Sequence, residues 1–224
     1  IDRAGRPEHQ CQVLTWNWNS RDRAHGKPSA QRILPTKEQL VRLLKAADLA
    51  GKTIIWLGIG LGLGPRDLSA IRVGQITKDA YDLRRGKTGV ERYGVTPPLV
   101  WSLVSAYQKD QKRRPGDLLF HTKNGEPLVH GITNNVVRWW NDLRTTIGET
   151  HRTLSGFYTL RHLGATEFGS RPRSSIGEVR RWLGHAASSR VADLYMRPVS
   201  PERREVVSWV RASLVRTKLV LPKV

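Results

Sequence analysis

Tyr158-Thr159-Leu160-Arg161-His162, with Leu183-Gly184-His185 downstream and Tyr195 ten residues beyond His185, carries most of the chemical information in this chain. The first segment leads into an apolar helix expected over 159–169, and further helices are expected over 176–183 and 202–215. Taken singly, each residue has a plain role open to it. Tyr195 reads as a half-buried packing residue after a helix, Arg161 as the neutraliser of a helix face, and His185, after a glycine, as a helix cap.

Upstream, the helical pattern is equally clear. Thr36 and Gln39 stand at capping-box spacing, and Leu40, Leu43, Leu44 and Ala47 form one apolar stripe. A second apolar segment, Ile54 to Leu63, ends in Gly60-Leu61-Gly62-Leu63-Gly64. After Pro65, Leu68 and Ile71 suggest a short helix starting near Arg66. From Val73 to Val95 the pattern turns strand-like around Gly86-Lys87-Thr88-Gly89, which reads as a small hairpin or three-stranded sheet. Helical spacing resumes at Leu99, Leu103 and Tyr107. Ile132, Val136, Trp139, Leu143 and Ile147 repeat at intervals of four and three and predict the best-defined helix of the chain. Residues 1–34, with scattered charge, Gly26, Pro28 and the run Trp16-Asn17-Trp18, read as an arm or interdomain linker. The sum is a mainly α domain with one small β-sheet (α+β).

Charge narrows the partner class. Lys and Arg number 38 against 19 Asp and Glu, a formal net charge of +19. Such an excess concentrates polyanions and gives salt-dependent phosphate contacts, so nucleic acid leads, with a ribosomal protein or an anionic membrane surface as the other basic-protein classes. Cys11 is the single cysteine, which excludes an intrachain disulfide and a cysteine-built zinc site and fits a reducing cytoplasm. The longest apolar stretch, Thr53 to Leu63, is glycine-interrupted and too short to span a bilayer. The chain begins at Ile1 rather than Met, shows no signal peptide, and reads as a fragment of a longer protein or a processed one.

With these residues in view, the sequence resembles the tyrosine recombinases, the phage-integrase type of DNA strand-exchange enzyme. Their second active-site box reads His-x-x-Arg with a further His after the Arg, then Leu-Gly-His, then the nucleophilic Tyr roughly ten residues on. Leu68-Ser69-Ala70-Ile71-Arg72, before Gln75-Ile76, looks like the tail of the first arginine box, and Lys87 matches the hairpin lysine. The resemblance spans about residues 33 to 215. It implies residues 35–215 as a tyrosine recombinase catalytic domain, residues 1–34 as the linker from a core-binding domain, and 216–224 as a C-terminal tail.

The resemblance also implies roles. Tyr195 would be the nucleophile, since a phosphotyrosyl ester is reversed by a sugar hydroxyl and so conserves bond energy. Arg161 would clamp the non-bridging phosphate oxygens, with His185 donating to the same oxygens. Lys87 would protonate the departing 5′ hydroxyl, with Arg84, Arg85 and Arg92 nearby as competitors. The expected partner is double-stranded DNA in a homotetramer, with no metal and no nucleotide cofactor, in the cytoplasm.

Two departures stand out. Position 158 is Tyr where the second box opens with His, and a Tyr hydroxyl still hydrogen-bonds a phosphate oxygen. The first box reads Gly-Leu-Arg followed by an acidic residue and Leu. Here Gly62-Leu63 runs into Gly64, with Asp67-Leu68 in the expected place, so its arginine is missing. Two readings stay open: Arg66 swings in as substitute clamp, or the site is weakened or inactive. Gly64 is expected to break regular helix before Arg66 and to suit a positive φ. The rivals are a degenerate recombinase fold that binds DNA without cutting it, a type IB topoisomerase, and a general RNA- or ribosome-binding basic protein.

Overall fold

A computed structural model describes residues 33–84, 89–185, 192, 195–196 and 198–222. Lys87, Arg85 and residues 1–32 lie outside the described residues, and with them most of the expected arm or linker over 1–34.

The chain enters at Ile33, whose N–H donates to Ser155 Oγ at 2.9 Å while its carbonyl accepts from Thr159 Oγ1 at 2.9 Å. Helix α1 (Lys37–Ala46) starts at the expected capping box, with Gln39 N–H on Thr36 Oγ1 and Thr36 N–H on Gln39 Oε1. Helix α2 (Leu49–Gly60) is capped by Asp48 and is apolar on every side, so it runs through the core rather than along its surface. Ile55, Trp56, Leu57 and Ile59 are fully or almost fully buried, each side chain contributing about 1.5–3 kcal/mol on leaving water.

Helix α3 (Pro65–Ala70) begins with Pro65 at its first turn and Gly64 as N-cap. Strands β1 (Ala80–Arg84) and β2 (Glu91–Val95) pair antiparallel, with Leu83 opposite Arg92. The hairpin expected around 86–89 is therefore present as its two strands. Helix α4 (Pro98–Asp110) follows, then a second two-stranded sheet, β3 (Val129–His130) with β4 (Thr133–Asn134), which the sequence pattern did not predict.

That second sheet corrects one expectation. Helix α5 (Asn135–Thr146) starts after Asn134, whose side chain caps Val137 N–H. Ile132 therefore lies outside the helix, fully exposed in the β3–β4 turn, and the buried stripe runs through Val136, Trp140 and Leu143. Trp140 donates to Ser155 O at 3.1 Å and meets Phe157 edge-on at 5.8 Å, which fixes the segment leading into helix α6 (Tyr158–Gly169).

Helices α4 and α6 both pack on α2. Gly164 makes the second contact possible, because a Cβ there would lie 2.0 Å from Ile59 O. Helix α7 (Ile176–Leu183) and helix α8 (Pro201–Leu214) complete the described elements, and Leu219 and Leu221 beyond α8 still pack against the core. No described helix is long and apolar enough to cross a membrane.

Candidate active site

Helix α6 places three functional side chains on one face, since Tyr158, Arg161 and His162 are three and four residues apart. Arg161 is 5% exposed. Its guanidinium donates to Gly62 O and Leu183 O, each at 2.5 Å, and lies 3.8 Å from Asp67 Oδ2. Asp67 in turn accepts the Gly64 N–H at 2.9 Å. A fork tied to carbonyls on a loop and at the end of α7, and to a carboxylate on α3, cannot reorient freely, which is the preorganisation an anion clamp needs.

The loop that receives Arg161 is shaped by Gly62. Its φ of +60° is left-handed, and a Cβ there would strike the Trp182 indole at 2.7 Å. The opposite anchor is the end of α7. Gly184 is left-handed (φ 61°, ψ 38°), the Gly184 N–H bonds Arg181 O, and the His185 N–H bonds Arg180 O at 2.9 Å. This Schellman ending stops the helix and delivers His185 beside Arg161, with Nε2 3.4 Å from a guanidinium nitrogen. The helix-cap role and the site role of His185 are thus compatible, one carried by its backbone and the other by its ring.

Tyr195 is 7% exposed and packs against α6, where a Cβ on Gly169 would lie 2.3 Å from Tyr195 O. Its hydroxyl hydrogen-bonds His162 Nδ1, with ring centroids 5.7 Å apart. Sequence reasoning places His162 in the motif, as the His that follows the Arg of the second box, but gives it no role. Its partner becomes visible only when Tyr195 packs against α6.

A half-open cavity of about 1040 Å³ lies beside this constellation. Its wall includes Gly64, Arg66, Arg84, Arg92, Tyr158 and Arg161, whereas Tyr195, His162 and His185 do not line it. The structure thus brings Arg66, Tyr158 and Arg161 to one concave basic surface, and the Tyr195 phenol is joined to helix α6 through His162. Arg66 is exposed, at the second position of α3, and makes no hydrogen bond or ion pair with another described residue. Arg92 is 1% exposed and donates to Leu61 O, tying β2 to the end of α2.

Gly64 corrects one part of the sequence reading. As the N-cap of α3 it interrupts regular helix just before Arg66, as expected, but its φ of −90° and ψ of 173° are extended backbone that any residue adopts rather than the positive φ expected. Among the described residues no three His, Cys, Asp or Glu side chains cluster so as to hold a metal ion.

No protein-family model matches the chain, and no curated protein matches it in sequence. Solved structures do. XerA recombinase aligns with TM-score 0.63 at 20% identity, over 83% of this chain and 66% of that one. The lambda integrase of a dimer bound to a COC′ core site aligns with TM-score 0.60 at 18% identity, over 84% and 55%. The fold is that of the tyrosine recombinase catalytic domain. The integrase from mycobacterium phage Brujita shares it, with TM-score 0.52 at 17% identity over 95% of this chain and 70% of that one. The chain thus spans between about half and two thirds of the length of XerA recombinase and lambda integrase. The tyrosine recombinase fold also explains the element order, a helical body with the β1–β2 hairpin inserted before α4.

Proposed function

We propose that this domain cleaves and rejoins duplex DNA at specific sites through a 3′-phosphotyrosyl intermediate, as a tyrosine recombinase or integrase. The observation that carries the reading is the convergence on α6 of an anchored Arg161, His185 at 3.4 Å from it, and a Tyr195 hydroxyl bonded to His162. In the proposed reaction the Tyr195 oxygen attacks the scissile phosphorus and the bond to the 5′ oxygen breaks. His162 Nδ1 takes the phenolic proton, and Lys87 supplies a proton to the departing 5′ oxygen. Arg161 and His185 hold the non-bridging oxygens as charge grows on them. Arg66, on the cavity rim, adds positive charge toward the DNA.

The proposed partner is double-stranded DNA, with strand exchange in a homotetramer. Lambda integrase has been seen as a tetramer bound to a Holliday junction, and the Tn1549 integrase in complex with transposon right end DNA. The net charge of +19 supports a phosphate-tracking surface.

The test is incubation with nicked suicide duplexes carrying candidate sites, followed by denaturing gels. A DNA–protein adduct that survives denaturation is expected. Tight binding without any adduct favours the binding-only reading, and relaxation of supercoiled plasmid without sequence preference favours a topoisomerase.

A further inference from the structure

The chain departs from the tyrosine recombinase motifs at Gly64 and Tyr158, and the fold places these two positions against each other. A Cβ on Gly64 would lie 3.1 Å from the Tyr158 hydroxyl oxygen, 3.2 Å from Cε1 and 3.3 Å from Cζ. Those separations are tighter than ordinary van der Waals contact, so the phenol occupies the space into which a side chain at 64 would grow. The extended backbone at 64 makes no demand for glycine. The ring above it does.

Tyr158 and Arg161 stand three residues apart on α6, and both line the cavity together with Gly64. Tyr158 is nearly half exposed. We infer that Gly64 and Tyr158 are a matched replacement: the glycine admits the phenol, and the Tyr158 hydroxyl takes the place of the missing first-box guanidinium as a hydrogen-bond donor to the phosphate of the DNA. This inference rests on the strand-cleavage reading. It makes one charged fork, Arg161, and one neutral donor, Tyr158, the direct ligands from these two boxes, with Arg66 acting from the rim. Neither departure is then a separate loss. Each explains the other.

The experiment compares single-turnover adduct formation by the parent, Tyr158→Phe, Gly64→Arg and the double variant Gly64→Arg/Tyr158→His on one nicked duplex. Removing the hydroxyl in Tyr158→Phe is expected to slow the step about 100-fold, as for loss of one preorganised donor. Gly64→Arg alone is expected to be at least as slow, because the new side chain must displace the phenol. The double variant is expected to recover about 10-fold or more over Gly64→Arg, since contacting residues couple. An unchanged rate in Tyr158→Phe, or a faster one in Gly64→Arg with Tyr158 in place, overturns the inference. If the parent gives no adduct, the strand-cleavage reading fails separately, and the pairing is judged by thermal unfolding with inorganic phosphate. Phosphate should then stabilise the parent more than Tyr158→Phe; equal stabilisation contradicts the role of the hydroxyl.

Discussion

The hydroxyl of Tyr195 hydrogen-bonds Nδ1 of His162, joining Tyr195 to helix α6 across 33 positions of sequence. The contact has two chemical consequences that pull in opposite directions. It gives the phenolic proton a place to go, and it restrains the phenol on helix α6.

The proton-accepting consequence is expected to dominate. His162→Ala should lower single-turnover adduct formation about 100-fold or more, the usual scale for a positioned base. A faster reaction in His162→Ala would show instead that the bond only parks the tyrosine.

Arg161 is the residue on which clamp and fold depend together. Arg161→Lys keeps a charge but loses the planar fork that reaches Gly62 O and Leu183 O, and cleavage should fall by about two to three orders of magnitude. Arg161→Ala also strands two buried carbonyls, at about 1–3 kcal/mol each, so its denaturation midpoint should drop below that of the parent. Cleavage by Arg161→Lys within a few-fold of the parent would remove Arg161 from the clamp.

Gly169 tests whether the seat of Tyr195 matters. A methyl at this position meets Tyr195 O at 2.3 Å, so Gly169→Ala must push the nucleophile segment off α6. Overpacking of this kind costs about 1–3 kcal/mol, and adduct formation should fall further than the midpoint shift alone explains. Normal cleavage with normal stability would mean that the segment seats elsewhere when the enzyme acts.

Arg66 separates charge on the rim from contact at the phosphate. Arg66→Ala should weaken DNA binding and reduce the log–log salt slope by about 1, with cleavage at saturating DNA within a few-fold of the parent. A loss of about 100-fold or more at saturating DNA would make Arg66 itself the clamp and displace Tyr158 from that role.

Much of this architecture was readable before any coordinates. The Thr36/Gln39 capping box, the apolar stripe of α1, and the helices expected over 159–169, 176–183 and 202–215, which lie within one residue of those observed, follow from local spacing and caps, which are properties of a few adjacent residues. The ordered motifs around Arg161, His185 and Tyr195 likewise pointed to one constellation. What stayed hidden depends on distant contacts. Ile132 fits a helical repeat, yet two short strands and the Asn134 cap take the chain out of the helix there. The Tyr195–His162 bond and the Gly64–Tyr158 contact join segments whose meeting is set by how α2, α3 and α6 pack, and no local pattern encodes that.

The central claim is that Tyr195 is the covalent nucleophile, and mapping the adduct tests it most directly. After reaction with a nicked duplex, nuclease and protease digestion followed by peptide mass spectrometry should find the residual nucleotide on Tyr195. Tyr195→Phe, which removes only the attacking oxygen, should give no adduct while binding the same DNA with nearly unchanged affinity. A nucleotide found on Tyr158 or Tyr107, or an adduct that persists in Tyr195→Phe, contradicts the account.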